Sequence, residues 1–324
     1  MSYSIPFSSL SPVPGGPRLF AIMSTLRSRE YTPHAVRSLL ETTLIRSEDR
    51  VVIVNNDDPS ILPLPYHPKL EIVHNSVPLG FAENANLMID AAVRGGFDLY
   101  LLNNDIIFSS NWLLPLARHE NAIVLPICNQ DIQYAGTVVT PSAGQVNSML
   151  MLGPSMHLES YLEAPYLFQA IADAHRRQVE GYKGFVASPY FCVKIPLSVI
   201  ERVGKFDTRF GKAGGEDYDY SLRAWLAGFP TERSLQSLVL HFWGRSTWNA
   251  STATAHVTEY DPTYDRSFVH VFKDKWGELV YKLVMNTDQS VLATHPEAHE
   301  ALSALDIPRL LRTLNAKEVA IKIS

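Results

Sequence analysis

A chain of 324 residues, 46% hydrophobic and 19% charged, carries enough apolar material for one large α/β unit or two modest domains. Its formal net charge of −5 offers no footprint for a polyanion and argues against nucleic acid as a partner. Cys128 and Cys192, the two cysteines, fit neither a disulfide framework nor a zinc-ligand spacing, and no apolar run approaches the ~20 residues that span a bilayer.

Residues 1–17, rich in Ser, Pro and Gly, read as a flexible lead-in, with no basic-then-apolar leader, so the cytoplasm is the expected location. Leu19 to Met23 is an apolar run ending at Ser24-Thr25. Pro33 to Leu44 then predicts a helix with Ala35, Val36, Leu39 and Leu40 on one face. A second strand, Val51 to Val54, stops in Asn55-Asn56-Asp57-Asp58-Pro59, which is turn chemistry. Leu70 to His74 is a third strand, followed by a polar loop and a helix around Asn84 to Val93. Asp98 to Leu102 is a fourth strand, stopping at Asn103-Asn104-Asp105. Strands alternating with helices predict an α/β fold with a mostly parallel central sheet flanked by helices, its polar loops gathered on the ligand-binding edge.

From about 129 to 184 the pattern is less regular, with a helix near Tyr166 to Val179. Phe185 to Val193 and Pro196 to Val203 follow, and another helix begins near Glu216. At the C-terminus Leu302, Leu305, Leu310, Leu311 and Leu314 recur at helical spacing, interrupted by Pro308. Docking on the rest of the chain is the simpler expectation for these leucines; oligomer or peripheral membrane contact stays open.

Three polar clusters carry chemistry, each with a bland alternative. Asp105 follows a buried-looking strand and suits a hard divalent cation, yet Asn103-Asn104-Asp105 is also an ordinary strand-ending turn. Glu216 and Asp217 follow Gly214-Gly215 at a helix start, where acids complement the helix dipole by ~0.3–1 kcal/mol. One of them can equally serve as a general base. His241 ends the apolar run Leu238 to Leu240, as a structural residue or as an imidazole ligand, with Arg245 nearby suited to gripping phosphate oxygens. Tyr190, Phe191 and Trp243 can stack on sugars or fill a core.

In this order the segments resemble inverting GT-A-fold glycosyltransferases of the family-2, rhamnosyltransferase-like type, from about Leu19 to Gly277. The resemblance rests on the strand ends Ser24-Thr25 and Val54-Asn55-Asn56-Asp57, on Asn75 to Asn86 around Gly80-Phe81-Ala82, and on Leu101-Leu102-Asn103-Asn104-Asp105. It continues through Val203-Gly204-Lys205-Phe206-Asp207 to Gly215-Glu216-Asp217-Tyr218-Asp219, with Arg223 and Gly228, then His241 with Gly244 and Ser246, and Lys275-Trp276-Gly277. Asn55 and Asn103 stand where the common pattern has acids.

The resemblance implies a GT-A fold, with a Rossmann-like nucleotide-sugar half over 18–128, an acceptor-binding and catalytic half over 129–277 and a helical extension over 278–324. It implies that Asp105 and His241 help bind Mn2+ or Mg2+, and that Asp217, beside Glu216, is the catalytic base. Ser24, Thr25, Arg27, Asn56, Gly80, Asn84, Asn86, Asn104 and Arg245 would serve the donor, a nucleotide-diphosphate sugar. The acceptor would be a carbohydrate or glycolipid hydroxyl. A sugar-phosphate nucleotidyltransferase or an inactive glycan-binding relative are the alternatives. A dinucleotide-dependent oxidoreductase is disfavoured, since no Gly-rich fingerprint follows the first strand.

Overall fold

The structure, a computed structural model, describes residues 13–24, 30–56, 64–129, 158–242 and 267–316. Most of the expected lead-in, residues 1–12, lies outside them.

Among the described residues nine strands form one sheet: β1 Arg18–Ser24, β2 Arg50–Asn55, β3 Leu70–His74, β4 Asp98–Asn103, β5 Ile106–Phe108, β6 Ile123–Cys128, β7 Tyr182–Gly184, β8 Cys192–Ile195 and β9 Thr231–His241. Their order is β3-β2-β1-β4-β8-β6-β9-β5, with β7 also on β9. The four strands predicted from the N-terminal half are parallel to one another. Every residue of β1 is buried, as a continuous apolar run covered on both faces requires. Helices α1, Thr32–Thr42, and α2, Phe81–Gly95, follow β1 and β3.

The expectation of a mostly parallel sheet holds for that half only. β8 runs antiparallel between β4 and β6, and β9 pairs parallel with β6 but antiparallel with β5 and β7. Only the end of the Phe185–Val193 run enters the sheet as β8: Pro189 has no amide to give a ladder, and the Tyr190 amide goes to Asp217. The irregular stretch before β8 carries Tyr190 and Phe191 to the ligand edge instead.

The chain passes from β1 to β2 and β3 on one side, then returns to place β4 on the other side of β1. Met23 and Asn103 are register partners there, so the crevice where strand order reverses opens beside Ser24 and Asn104.

A second apolar cluster gathers the C-terminal helices. Phe272, Trp276, Leu310 and Leu311 are buried with Leu222 of the Glu216–Leu226 helix and Phe210. The break among the late leucines falls at Leu305, whose φ is 52°, and not at Pro308. Pro308 lies in the first turn of the helix Ile307–Thr313, where a missing N–H costs no helical bond. No helix among the described residues is long and apolar enough to cross a membrane.

Candidate active site

At the strand-order reversal, Asn104 Nδ2 donates to Thr32 Oγ1 at 2.8 Å, and Thr32 Oγ1 lies 3.0 Å from Ser24 Oγ. All three are buried. Thr32 has no signature in the sequence beyond its place at the start of α1. One strand further out, Asn56 Oδ1 accepts from Asn75 Nδ2 (2.8 Å), Leu79 N (3.2 Å) and Asn84 Nδ2 (3.2 Å). Asn84 Oδ1 accepts in turn from Asn75 Nδ2 at 2.8 Å. Ser24, Asn56, Gly80, Asn84 and Asn104 therefore collect along one edge of the sheet.

Asn86 faces elsewhere. Its amide nitrogen donates to Phe206 O at 2.9 Å and its oxygen accepts from Phe206 N at 2.8 Å, clamping α2 to the loop before the acid pair. Thr25, Arg27 and Arg245 lie outside the described residues.

Asp105 follows β4 and leads into β5. Antiparallel pairing sets Ile106 opposite His241, and Phe242 N donates to Asp105 O at 2.9 Å. This brings His241 Nε2 to 3.4 Å from Asp105 Oδ1, with both residues buried. Asn129 Oδ1 accepts from His241 N at 2.9 Å, and the Phe191 ring stacks on the imidazole with centroids 4.9 Å apart. A carboxylate and an imidazole this close are donor types that suit manganese. Among the described residues no further His, Cys, Asp or Glu completes a three-residue cluster.

The acid pair owes its placement to glycine. Gly214 and Gly215 have φ of 120° and 84°, which a side chain would strain, and they turn the chain sharply into the Glu216–Leu226 helix. Glu216 is buried and accepts the Gly214 amide on Oε2. Asp217 is half-buried; Oδ2 accepts from Tyr190 N at 3.2 Å and Oδ1 from Tyr218 N at 2.8 Å. Burial, then the neighbouring Asp217 charge, pushes the Glu216 carboxyl well above the usual carboxylate range. Burial also raises Asp217, against the opposing effect of backbone amides, Tyr218 and Tyr190 first.

Both acids therefore hold protons more tightly folded than unfolded. The resulting cost to stability is absent below the ordinary carboxylate range and complete above the raised values. Glu216→Gln keeps an oxygen for the Gly214 amide and removes that charge. Its melting-temperature gain over the parent should be larger at about pH 9 than at about pH 5; an equal change at both would contradict this reading.

Asp219, two residues on, has a different task. It is fully buried and accepts from Arg223 Nε at 2.9 Å and Trp276 Nε1 at 2.9 Å, with Lys275 Nζ 2.7 Å away. Lys275 also reaches Asp207 at 2.9 Å. The Lys275-Trp276-Gly277 segment thus ties the C-terminal helices to the acid-bearing helix.

Tyr190 and Phe191 join the two halves of the site. The Tyr190 backbone holds Asp217 while the adjacent Phe191 ring lies on His241.

Among solved structures, GalNAc-T7 with UDP, GalNAc and Mn2+ aligns over 82% of this chain and 49% of its own, with 13% identity and a TM-score of 0.50. The fold is GT-A. This GT-A chain spans about half the length of that relative. Mannosyltransferase PcManGT from Pyrobaculum calidifontis, in complex with GDP-Man and Mn2+, aligns over 97% of this chain and 89% of its own at 13% identity and a TM-score of 0.44. S. aureus TarS aligns over 67% and 35% at 12% identity and 0.40. No family model matches the sequence, and no curated protein does.

Proposed function

We propose that the protein is an inverting glycosyltransferase of the family-2, rhamnosyltransferase-like type. It moves a sugar from a nucleotide-diphosphate sugar to the hydroxyl of a carbohydrate or glycolipid acceptor. The observation that supports this reading is the Tyr190-Phe191 link: the Tyr190 amide bonds the Asp217 carboxylate, and the adjacent Phe191 ring stacks on His241 of the buried Asp105–His241 pair.

In this reading Asp217 removes the acceptor proton as the hydroxyl oxygen attacks the anomeric carbon. The bond from that carbon to the diphosphate oxygen breaks and the nucleoside diphosphate leaves. One displacement inverts the anomeric centre. The amides of Tyr190 and Tyr218, one on each carboxylate oxygen, fix the orientation of the base. Burial strengthens it, because a base is most effective when its pKa lies near the working pH. Ser24, Asn56, Asn84 and Asn104 face the donor, and Asn86 supports the site through Phe206. A divalent cation on Asp105 and His241 would neutralise charge on the diphosphate.

Asp105→Ala tests the metal half. Calorimetric titration of the nucleotide-sugar should show affinity that Mn2+ raises in the parent and barely changes in the variant. Equal affinity in both proteins, with and without Mn2+, would contradict the role of Asp105.

A further inference from the structure

The loop that carries the acid pair rests on the start of α2. Phe81 N, in the first turn of that helix, donates to Lys212 O at 2.8 Å. A Cβ on Gly80 would stand 2.5 Å from Gly211 O and 3.1 Å from both Cα and O of Lys212. These are backbone atoms, so no rotamer change relieves the overlap. Conformation alone does not call for glycine here, since Gly80 has φ −70° and ψ 170°, open to any residue. Close approach does.

The same residue is tied to the donor side. Gly80 O accepts from Asn84 Nδ2 at 2.9 Å, and Gly80 N donates to Glu83 Oε2 at 2.8 Å. Both Gly80 N–H and Phe81 N–H are therefore engaged within the protein, and the start of α2 supports the loop. Past the contact, the Gly214 amide bonds Glu216, and Asp219 N donates to Gly215 O at 2.8 Å. A Cβ on Gly215 would press on the Phe210 ring at 3.1 Å. The segment from Gly211 to Glu216 is thus anchored at both ends.

We propose that Gly80 is a positioning residue: its missing side chain seats the Gly211–Glu216 segment on α2, holding the acid pair at a fixed distance from the Asn56–Asn75–Asn84 cluster. The consequence for catalysis rests on the function proposed above, whereas the seat itself is a property of the fold. Displacing reacting groups by about 1 Å can cost about 10²-fold in rate, so a single methyl group at Gly80 separates catalysis from donor binding.

Gly80→Ala should lower kcat by about 10²-fold while the affinity for nucleoside diphosphate with Mn2+ changes by less than about threefold. Its acidic pH limb should move to lower pH, because a displaced loop lets water reach Glu216 and Asp217. Phe81→Pro should reproduce the rate loss by removing the N–H that holds Lys212 O. Proline suits the first helical position, and Gly80 already has the extended backbone that precedes it. Phe81→Ala, which keeps that N–H, should retain most of the rate.

Amide hydrogen exchange reads the seat without reference to activity. In Gly80→Ala the Phe81 and Gly214 amides should exchange faster than in the parent. Unchanged exchange at both would overturn the proposal. So would a fall in nucleotide affinity that matches the fall in rate, since Gly80 would then be a donor contact. A parent protein that transfers no sugar counts against the proposed function alone, and exchange at Phe81 still decides the seat.

Discussion

Asp217→Asn should lower sugar transfer by about 10²–10⁴-fold, the usual contribution of a positioned general base. The substitution preserves shape and keeps an oxygen for one of the two amides, Tyr218 N at 2.8 Å, at the expense of the longer bond from Tyr190 N at 3.2 Å, and it touches none of the bonds of the Asn56–Asn75–Asn84 cluster. What it removes is a proton acceptor in a half-buried site that two backbone amides orient. Nucleotide-sugar affinity should therefore remain close to that of the parent while kcat falls. Steady-state kinetics beside calorimetric titration separate the two quantities. A variant that retains most of its transfer rate would remove Asp217 from the mechanism.

The largest effect on stability is expected from Asp219→Ala, at about 3–5 kcal/mol, the usual cost of breaking a buried ion pair by deleting one partner. Asp219 has no exposed surface and serves Arg223, Lys275 and the indole N–H of Trp276 together. Without it, Lys275 retains Asp207, and Arg223 retains the carbonyls of Val203 and Lys205. The indole loses the acceptor that ties it to the acid-bearing helix. The denaturant midpoint should fall accordingly, and Trp276→Phe, which removes one hydrogen bond to a charged group, should cost about 1.5–3 kcal/mol. A loss below about 1 kcal/mol for Asp219→Ala would mean that apolar packing alone holds the C-terminal helices.

The strands were legible where apolar runs end in Asn, Asp or Ser, because a strand buried on both faces shows itself without its partners. Pairing was not. β4 meets β8 across some ninety residues of chain, with Leu99 opposite Ile195, and nothing local to either strand specifies that contact. The same limit applies to the site. Asp105, Asp217 and His241 could be singled out by residue type at element ends, yet Thr32, Asn75 and Asn129 acquire their partners only through the fold. Asn84 and Asn86 show the difference most plainly. In the sequence they look equivalent, but residues two apart on a helix face opposite ways. Asn84 joins the Asn56–Asn75 cluster, whereas Asn86 clamps Phe206.

Cation-assisted sugar transfer from a nucleotide donor is tested most directly by thermal-shift screening of the parent protein against UDP-, dTDP- and GDP-sugars, each with and without Mn2+. Ligand that binds only the folded state raises its melting temperature by mass action. Stabilisation by one nucleotide class, greater with Mn2+ than without, is the predicted result. Stabilisation by none of the three under either condition would contradict it.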